Sequence, residues 1–484
     1  MMRWYQWVGI VFISSMAWAS PPNIIFIMAD DMGYGDIQAY NAQSKVPTVH
    51  LNRLAQEGVM FTDAHSGSAV CTPTRYGVIT GRYCWRTRLK RGVLVGYSEH
   101  LIDPERLTVA DLLKRAGYNT ACIGKWHLGM DLPFKDKGAR VIDYTQRIGN
   151  SPNVNGFDYF YGITASLDFP PYVYIENDRF VEPGTELYPS RSFPKFLRKG
   201  PKAPGLAFDK ALDHLTGKAV DYIGKQSNPF FLYFPLTAPH KPCWPEKRFI
   251  GKSGIGPYGD FVMQVDWVIG QIDAALANKG IADNTLLIFT SDNGSYMHRW
   301  PQDKPDHKQD DTVQGFHAQV HKANAHWRGT KADVWEGGHR VPFIVRWPGK
   351  TKPASRCDKT LCLTDLLATC AEITSQALPV NAGEDSFSLL PSILGKPGAP
   401  RAPVINHSAG GMFALRDGPW KMVFGNGSGG RQAPKGKPFT RPYQLYNLSE
   451  DPAETNNVID KHAEVAARLE TRLEAIRTQG RSRR

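Results

Sequence analysis

Seven cysteines in 484 residues are too few for a disulfide-built scaffold, and a chain of this length buries a core without one. Their spacings form no zinc pattern. Leaving Cys71 aside, the other six (Cys84, Cys122, Cys243, Cys357, Cys362 and Cys370) are expected to form few disulfides, or none. No apolar run is long enough to cross a bilayer. The one candidate, Val8 to Met16, is short, follows Arg3 and precedes Ala17-Trp18-Ala19, a small-x-small cleavage site. Residues 1–19 therefore read as a secretory signal, with a mature chain from Ser20 that is secreted or periplasmic and makes no stable membrane insertion. There is no internal repeat. The excess of 58 Lys and Arg over 46 Asp and Glu gives a net charge of +12, yet no basic repeat with interleaved aromatics and no nucleic-acid module accompanies it. Nucleic acid is excluded as the expected partner. An anionic polysaccharide would be drawn to such a surface equally well.

What is present alternates. Asn23 to Met28 reads as a buried strand running into Ala29-Asp30-Asp31-Met32-Gly33. Helices are expected over 48–57, 108–116, 207–225, 259–279 and 363–373, and strands over Tyr118–Ile123, Pro229–Pro235, Thr285–Thr290 and Val341–Trp347. This is the pattern of a large, mostly parallel sheet sandwiched by helices in an α/β fold. From about residue 380 the character changes. Short strands (Ala402–Asn406, Met412–Arg416, Trp420–Phe424, Gln444–Asn447), a glycine-rich loop and a charged helix at 460–477 predict a smaller α+β unit with an antiparallel sheet. The expected division is a larger domain over 20–378 and a smaller one over 379–484.

The polar groups collect just past strand C-termini, where open α/β sheets bind ligands. Asp30-Asp31 and Asp292-Asn293 make an oxygen-rich set without sulfur or imidazole, suited to Ca²⁺ or Mg²⁺ rather than zinc. Each alone has a plain reading as a turn or helix cap. Cys71-Thr72-Pro73-Thr74-Arg75 opens a helix expected over 72–80, with Pro73 tolerated in its first turn. That puts Cys71 where free N–H groups favour an anion, with Arg75 one turn on. Lys125 and His127 follow the strand ending at Ile123, and Ala238-Pro239-His240 follows the strand after it. Arg328-Gly329-Thr330-Lys331 comes later in the chain. A lone Lys is usually solvated and a His before Lys-Pro is usually in a loop, so these residues carry weight only together.

Together they resemble a known family. Cys71 to Arg82, and above all Cys-x-Pro-x-Arg, is similar to the signature of the type I, formylglycine-dependent sulfatases (arylsulfatase-like, of the alkaline-phosphatase-like superfamily). Thr74 and Ile79 stand where Ser or Ala and Leu are commoner. Gly124-Lys125-Trp126-His127, Ala238-Pro239-His240, the block from Arg328 to Pro342 and the closing Gln444–Asn457 also match, in the family's order. The resemblance implies a sulfuric ester hydrolase in which Cys71 is oxidised to formylglycine by a formylglycine-generating enzyme. It implies one Ca²⁺ held by Asp30, Asp31, Asp292, Asn293 and the modified Cys71. Lys125 and Lys331 would bind sulfate, with Arg75 holding the modified side chain. His127 would take the proton that collapses the hydrated aldehyde, and His240 would protonate the leaving oxygen.

The expected substrate is a sulfated carbohydrate, a glycosaminoglycan or algal polysaccharide fragment, with small aryl sulfates as surrogates. Asp168 and Tyr172, in an aromatic stretch, and His298 and Arg299, just past the metal loop, are candidate substrate contacts. His317, His321 and His326 read as loop residues, not metal ligands. The rival readings are a phosphomonoester or phosphonate hydrolase of the same superfamily, and a glycan-binding homologue that has lost the reaction.

Overall fold

The computed structural model describes residues 21–297 and 321–483. The expected signal at 1–19 therefore lies outside the described residues, as do His298, Arg299 and His317. Ten strands form the main sheet, in the order Ser355–Cys357, Val59–Phe61, Phe343–Arg346, Thr285–Ser291, Asn23–Asp30, Phe230–Pro239, Asn119–Lys125, Tyr159–Ile163, Ile175–Glu176 and Arg179–Phe180. The five from Thr285–Ser291 to Tyr159–Ile163 run parallel, and antiparallel pairs flank them on both sides. The central strands are near-continuous apolar runs because helices cover both their faces. Along Asn23–Asp30, Ile24, Phe26 and Met28 enter one core with Val78, Ile79, Leu112, Leu113 and Leu367. Ile25 and Ile27 enter the other with Leu215, Ile223, Val265 and Ile272. Alternation of side chains across a strand divides them.

The expected helices are present, and their ends follow cap chemistry. The longest runs Pro257–Lys279: Pro257 occupies its first turn and Gly280, at φ 70°, closes it, an arrangement that places the start two residues before the apolar periodicity becomes evident. Tyr159–Ile163 supplies a further strand to the main sheet, one not expected from the sequence. The C-terminal sheet is four-stranded and antiparallel, in the order Val404–His407, Phe413–Asp417, Trp420–Val423, Gln444–Asn447, against the helix Ala463–Thr478. It does not stand apart. Its core takes in Tyr83, Trp85 and Cys362, and Val334 and Trp335 pack with Met412 and Val423. All seven cysteines are unpaired. Among the described residues no helix is long and apolar enough to cross a membrane.

Candidate active site

The parallel strands bring their C-terminal ends to one edge. Register places Ala29 opposite Ser291, and the Asp292 N–H donates to Ala29 O at 3.0 Å, so Asp30, Asp31, Asp292 and Asn293 come together. On the other flank, pairing with Phe230–Pro239 slips between Met28 and Asp30. Such an irregularity bends a strand and re-aims its side chains, and here it delivers His240. Asn119–Lys125 ends at Lys125, and His127 follows with φ 60°. Asp31 has φ 66°. Two non-glycine residues in the left-handed region at one spot mark backbone held in place by its surroundings.

The helix Cys71–Thr80 begins at Cys71, has no side-chain cap at Val70, and ends in a left-handed Gly81. Cys71 Sγ lies 3.6 Å from Asp30 and 3.9 Å from Asp31, and the Lys331 ammonium donates to it at 3.3 Å. Lys125 meets Asp30 and Lys331 meets Asp31, each at 2.7 Å. Arg75 reaches Asp292 at 2.7 Å and donates to Lys125 O at 3.0 Å. Its guanidinium thus ties two strand ends together. Three carboxylates face three cations, all buried.

Burial sets the protonation states. It pushes the Cys71 thiol up to about 12, against Lys125 and Lys331, so at neutral pH the unmodified residue is a thiol and a poor nucleophile. It raises Asp30 to about 7, with Asp292 and Asp31 pushing the same way and Lys125 and Arg75 opposing. His127 is held neutral, first by burial and then by Lys125 and Arg75. Its Nε2 faces Leu94 O at 2.8 Å. A carbonyl only accepts, so the proton sits on Nε2, and Nδ1, buried without a hydrogen-bond partner, is a free acceptor. His240 is also held neutral, by burial and then Lys331 and Lys125. Its Nδ1 donates to Lys241 O at 2.5 Å, which leaves Nε2 3.5 Å from Asp31.

The carboxylate and amide oxygens fit a hard cation, whereas the Cys71 sulfur and the His240 imidazole beside them do not. Asp30, Asp31, Cys71 and His240 each offer a ligand atom within 4.8 Å of the others, and Asn293 Oδ1 is buried without a hydrogen-bond partner. Asp292 is more occupied: Oδ1 accepts from Asp31 N at 3.1 Å while Oδ2 takes Arg75.

Residues 22–376 match the Sulfatase family model. The chain belongs to the sulfatase family. It is 36% identical over 500 residues to an N-acetylgalactosamine-6-O-sulfatase of Bacteroides thetaiotaomicron, covering 95% of this chain and 93% of that protein. It is 32% identical over 475 residues to human arylsulfatase A, with 93% and 86% covered. A structure solved in work on the metabolism of multiple glycosaminoglycans by Bacteroides thetaiotaomicron superposes with a TM-score of 0.83 at 35% identity, covering 95% of this chain and all of the other. The protein is a sulfatase of α/β architecture.

Of the expected substrate contacts, Asp168 lies beside the cluster, 3.9 Å from His240 Nδ1, and pairs with Arg198 at 2.6 Å. Tyr172 differs from expectation. It is buried with its ring against Phe208, and its hydroxyl holds the Arg198 backbone, so it has no face open to a sugar and positions Arg198 instead. His321 is buried against Asp36 at 2.8 Å. Through Gly33 N, which donates to Asp36 at 2.7 Å, it steadies the loop after Asp31. Arg198 escaped the sequence reading because nothing local marks its partnership with a residue thirty positions earlier.

Proposed function

We propose that this sulfatase removes sulfate from a sulfated carbohydrate by S–O cleavage, with Cys71 as the precursor of its nucleophile. The observation that carries the reading is Cys71 itself. It is the first residue of a helix, its thiol is kept inert by burial, and it lies among three carboxylates, three cations and two neutral histidines. Oxidised to formylglycine and hydrated, the side chain supplies two hydroxyls, one to attack sulfur and one whose deprotonation frees the sulfate. Ca²⁺ held by Asp30, Asp31, Asp292, Asn293 and residue 71 would draw charge from the sulfate oxygens.

The chain's own residues have separable tasks. Lys125 and Lys331 hold sulfate oxygens, each exchanging part of its contact with Asp30 or Asp31 for the substrate. Arg75 fixes Asp292 and the strand end at Lys125. His127 takes a proton on its free Nδ1, while Nε2–H stays anchored on Leu94 O. His240, its one proton anchored through Nδ1, presents a bare Nε2 that would take the proton shed by the attacking hydroxyl and hand it to the leaving oxygen. Carbohydrate as the substrate is supported by the names of the similar proteins and by the net charge of +12. The same reading includes export through residues 1–19 and maturation by a formylglycine-generating enzyme before folding closes the site.

Peptide mass spectrometry across Cys71 in exported protein, paired with sulfate release from 6-sulfated N-acetylhexosamine, tests it. Formylglycine together with sulfate release is expected. A plain thiol in exported protein, with no release, would overturn the reading.

A further inference from the structure

Beside the sulfate pocket, cations outnumber their carboxylate partners among the described residues. Lys331 is matched by Asp31 and Arg198 by Asp168, but among the described residues Lys241 and Arg431 pair with no carboxylate. Lys241 directly follows His240, and its ammonium lies 4.2 Å from the centroid of the Phe196 ring. Arg198 stands over the same ring at 5.1 Å and over Phe169 at 3.9 Å.

Arg431 follows the glycine-rich loop of the C-terminal sheet. That loop is clamped to the catalytic segment: Arg431 N and Gln432 N donate to Asp333 Oδ1 at 2.6 and 3.1 Å, and Val334 N donates to Ser428 O at 2.8 Å. At Gly430 a Cβ would fall 2.2 Å from Ala332 O, so only glycine permits this approach. The side chains so delivered are unsatisfied. Arg431 Nη1 is buried without a hydrogen-bond partner, as are both polar atoms of the Gln432 amide, in a side chain 1% exposed. Asp168 Oδ1 also lacks a hydrogen-bond partner, but a carboxylate oxygen calls for a donor such as a sugar hydroxyl, not for an anion. Buried polar groups are rarely left so, and surplus cations least of all. Lys241 shows the crowding: burial lowers its pKa, and Arg431, Lys331 and Arg198 lower it further against Asp168.

We infer that Lys241 and Arg431 form a second anion subsite. It takes a further negatively charged group, a uronate carboxylate or a second sulfate, on the carbohydrate whose first sulfate sits at Cys71. The inference rests on the sulfate-ester reading and deepens it: the preferred substrate is polyanionic. A guanidinium and an ammonium together suit both anions, the fork of Arg431 adding directionality to a point charge at Lys241.

The test uses the full chain arrested by Cys71→Ala, so that binding is read without turnover or the oxidised side chain. Calorimetric titration compares a disaccharide bearing sulfate and uronate with its carboxyl-reduced form, and a disulfated N-acetylhexosamine with its monosulfated form. The extra anion is expected to tighten binding about tenfold or more. Lys241→Gln and Arg431→Gln should each draw that ratio towards one, and Arg431→Lys should recover most of it. A gain confined to the uronate pair assigns a carboxylate, and one confined to the disulfated sugar assigns a sulfate. No gain from either anion, or a gain untouched in both folded Gln variants, overturns the subsite. Hydrolysis is followed separately: a wild-type protein carrying formylglycine that releases no sulfate, with the binding ratios intact, sinks the hydrolase reading and leaves the subsite standing.

Discussion

Two buried charge clusters in this molecule have the same composition and opposite character. At the strand ends, Asp30, Asp31 and Asp292 meet Arg75, Lys125 and Lys331, with His127 and His240 beside them. Behind Lys331, Asp63, Glu336 and Glu454 meet Arg340, Arg416 and Lys421, with His65 and His339. In the second cluster both histidines are engaged through both ring nitrogens: His65 by Asp63 and His339, His339 by His65 and by Val334 O with Lys421. Although burial pushes Asp63 up, His65 and Arg340 hold it well below the usual carboxylate range. The first cluster leaves His127 Nδ1 and Asn293 Oδ1 open and lets Asp30 drift up to about 7. Equal charge does not distinguish a joint from an active site. The second cluster also holds an orphaned atom, Arg340 Nε, so the difference lies in the histidine nitrogen left free at the sheet edge where ligands enter.

The largest expected effect is at Cys71. Cys71→Ser should lower steady-state turnover of an aryl sulfate by at least about a thousandfold, with the melting temperature within a few degrees of wild type. Sustained turnover would place the nucleophile elsewhere. In the second cluster the expected loss is of stability. Lys421, buried and touching Glu336 at 3.1 Å, Glu454 at 2.8 Å and His339 at 3.0 Å, should on replacement by Met cost about 3–5 kcal/mol. That would read as a fall of roughly 5–10 °C in Tm, with kcat of the folded fraction retained. An unchanged Tm would make the cluster dispensable.

Between the two regions, His407 is buried with its pKa pushed down to about 4, so the folded state resists a proton that the unfolded chain accepts. Its stability contribution is present in full above pH 6.5 and is lost as pH falls through the window down to about 4. The loss should reach about 3 kcal/mol. His407→Gln should flatten the acid limb of Tm against pH, and an identical limb would assign the loss to other groups. The smallest effect separates substrates. His240→Ala should reduce kcat/KM for a sugar sulfate about tenfold more than for an aryl sulfate, whose leaving oxygen needs less help from an acid. Equal losses would remove His240 from that role.

The sequence made the first cluster legible and hid the second. Cys71-x-Pro73-x-Arg75, Asp30-Asp31 and Asp292-Asn293 are contiguous motifs at strand ends, and a parallel sheet dictates that strand ends converge. The central strands were readable for a related reason, since burial on both faces leaves runs such as Ile24 to Met28 almost wholly apolar. Asp63, Glu336, Arg416, Lys421 and Glu454 share no local pattern, and only tertiary packing assembles them. Tyr172 misled because an aromatic in a loop-like stretch looks the same on paper whether it faces solvent or packs on Phe208. Lys241 and Arg431 were equally silent, since their lack of carboxylate partners is a property of three dimensions.

The seam between the C-terminal sheet and the catalytic segment has a consequence for timing. Ser68 donates to His407 O at 3.1 Å although the two are 339 residues apart in sequence. Ala69 N pairs with the same carbonyl, Ala332 N with Ala69 O, and Ala409 N with Ala332 O. Residues just before Cys71 are therefore stitched down by the last quarter of the chain, and Cys71 ends 2% exposed. At ordinary rates of synthesis His407 follows Ser68 by on the order of half a minute. If Cys71 is oxidised as proposed, the enzyme that does so works inside that interval, or in whatever lengthens it. Any change that hastens closure of the seam would raise the yield of folded protein while lowering the fraction that is active.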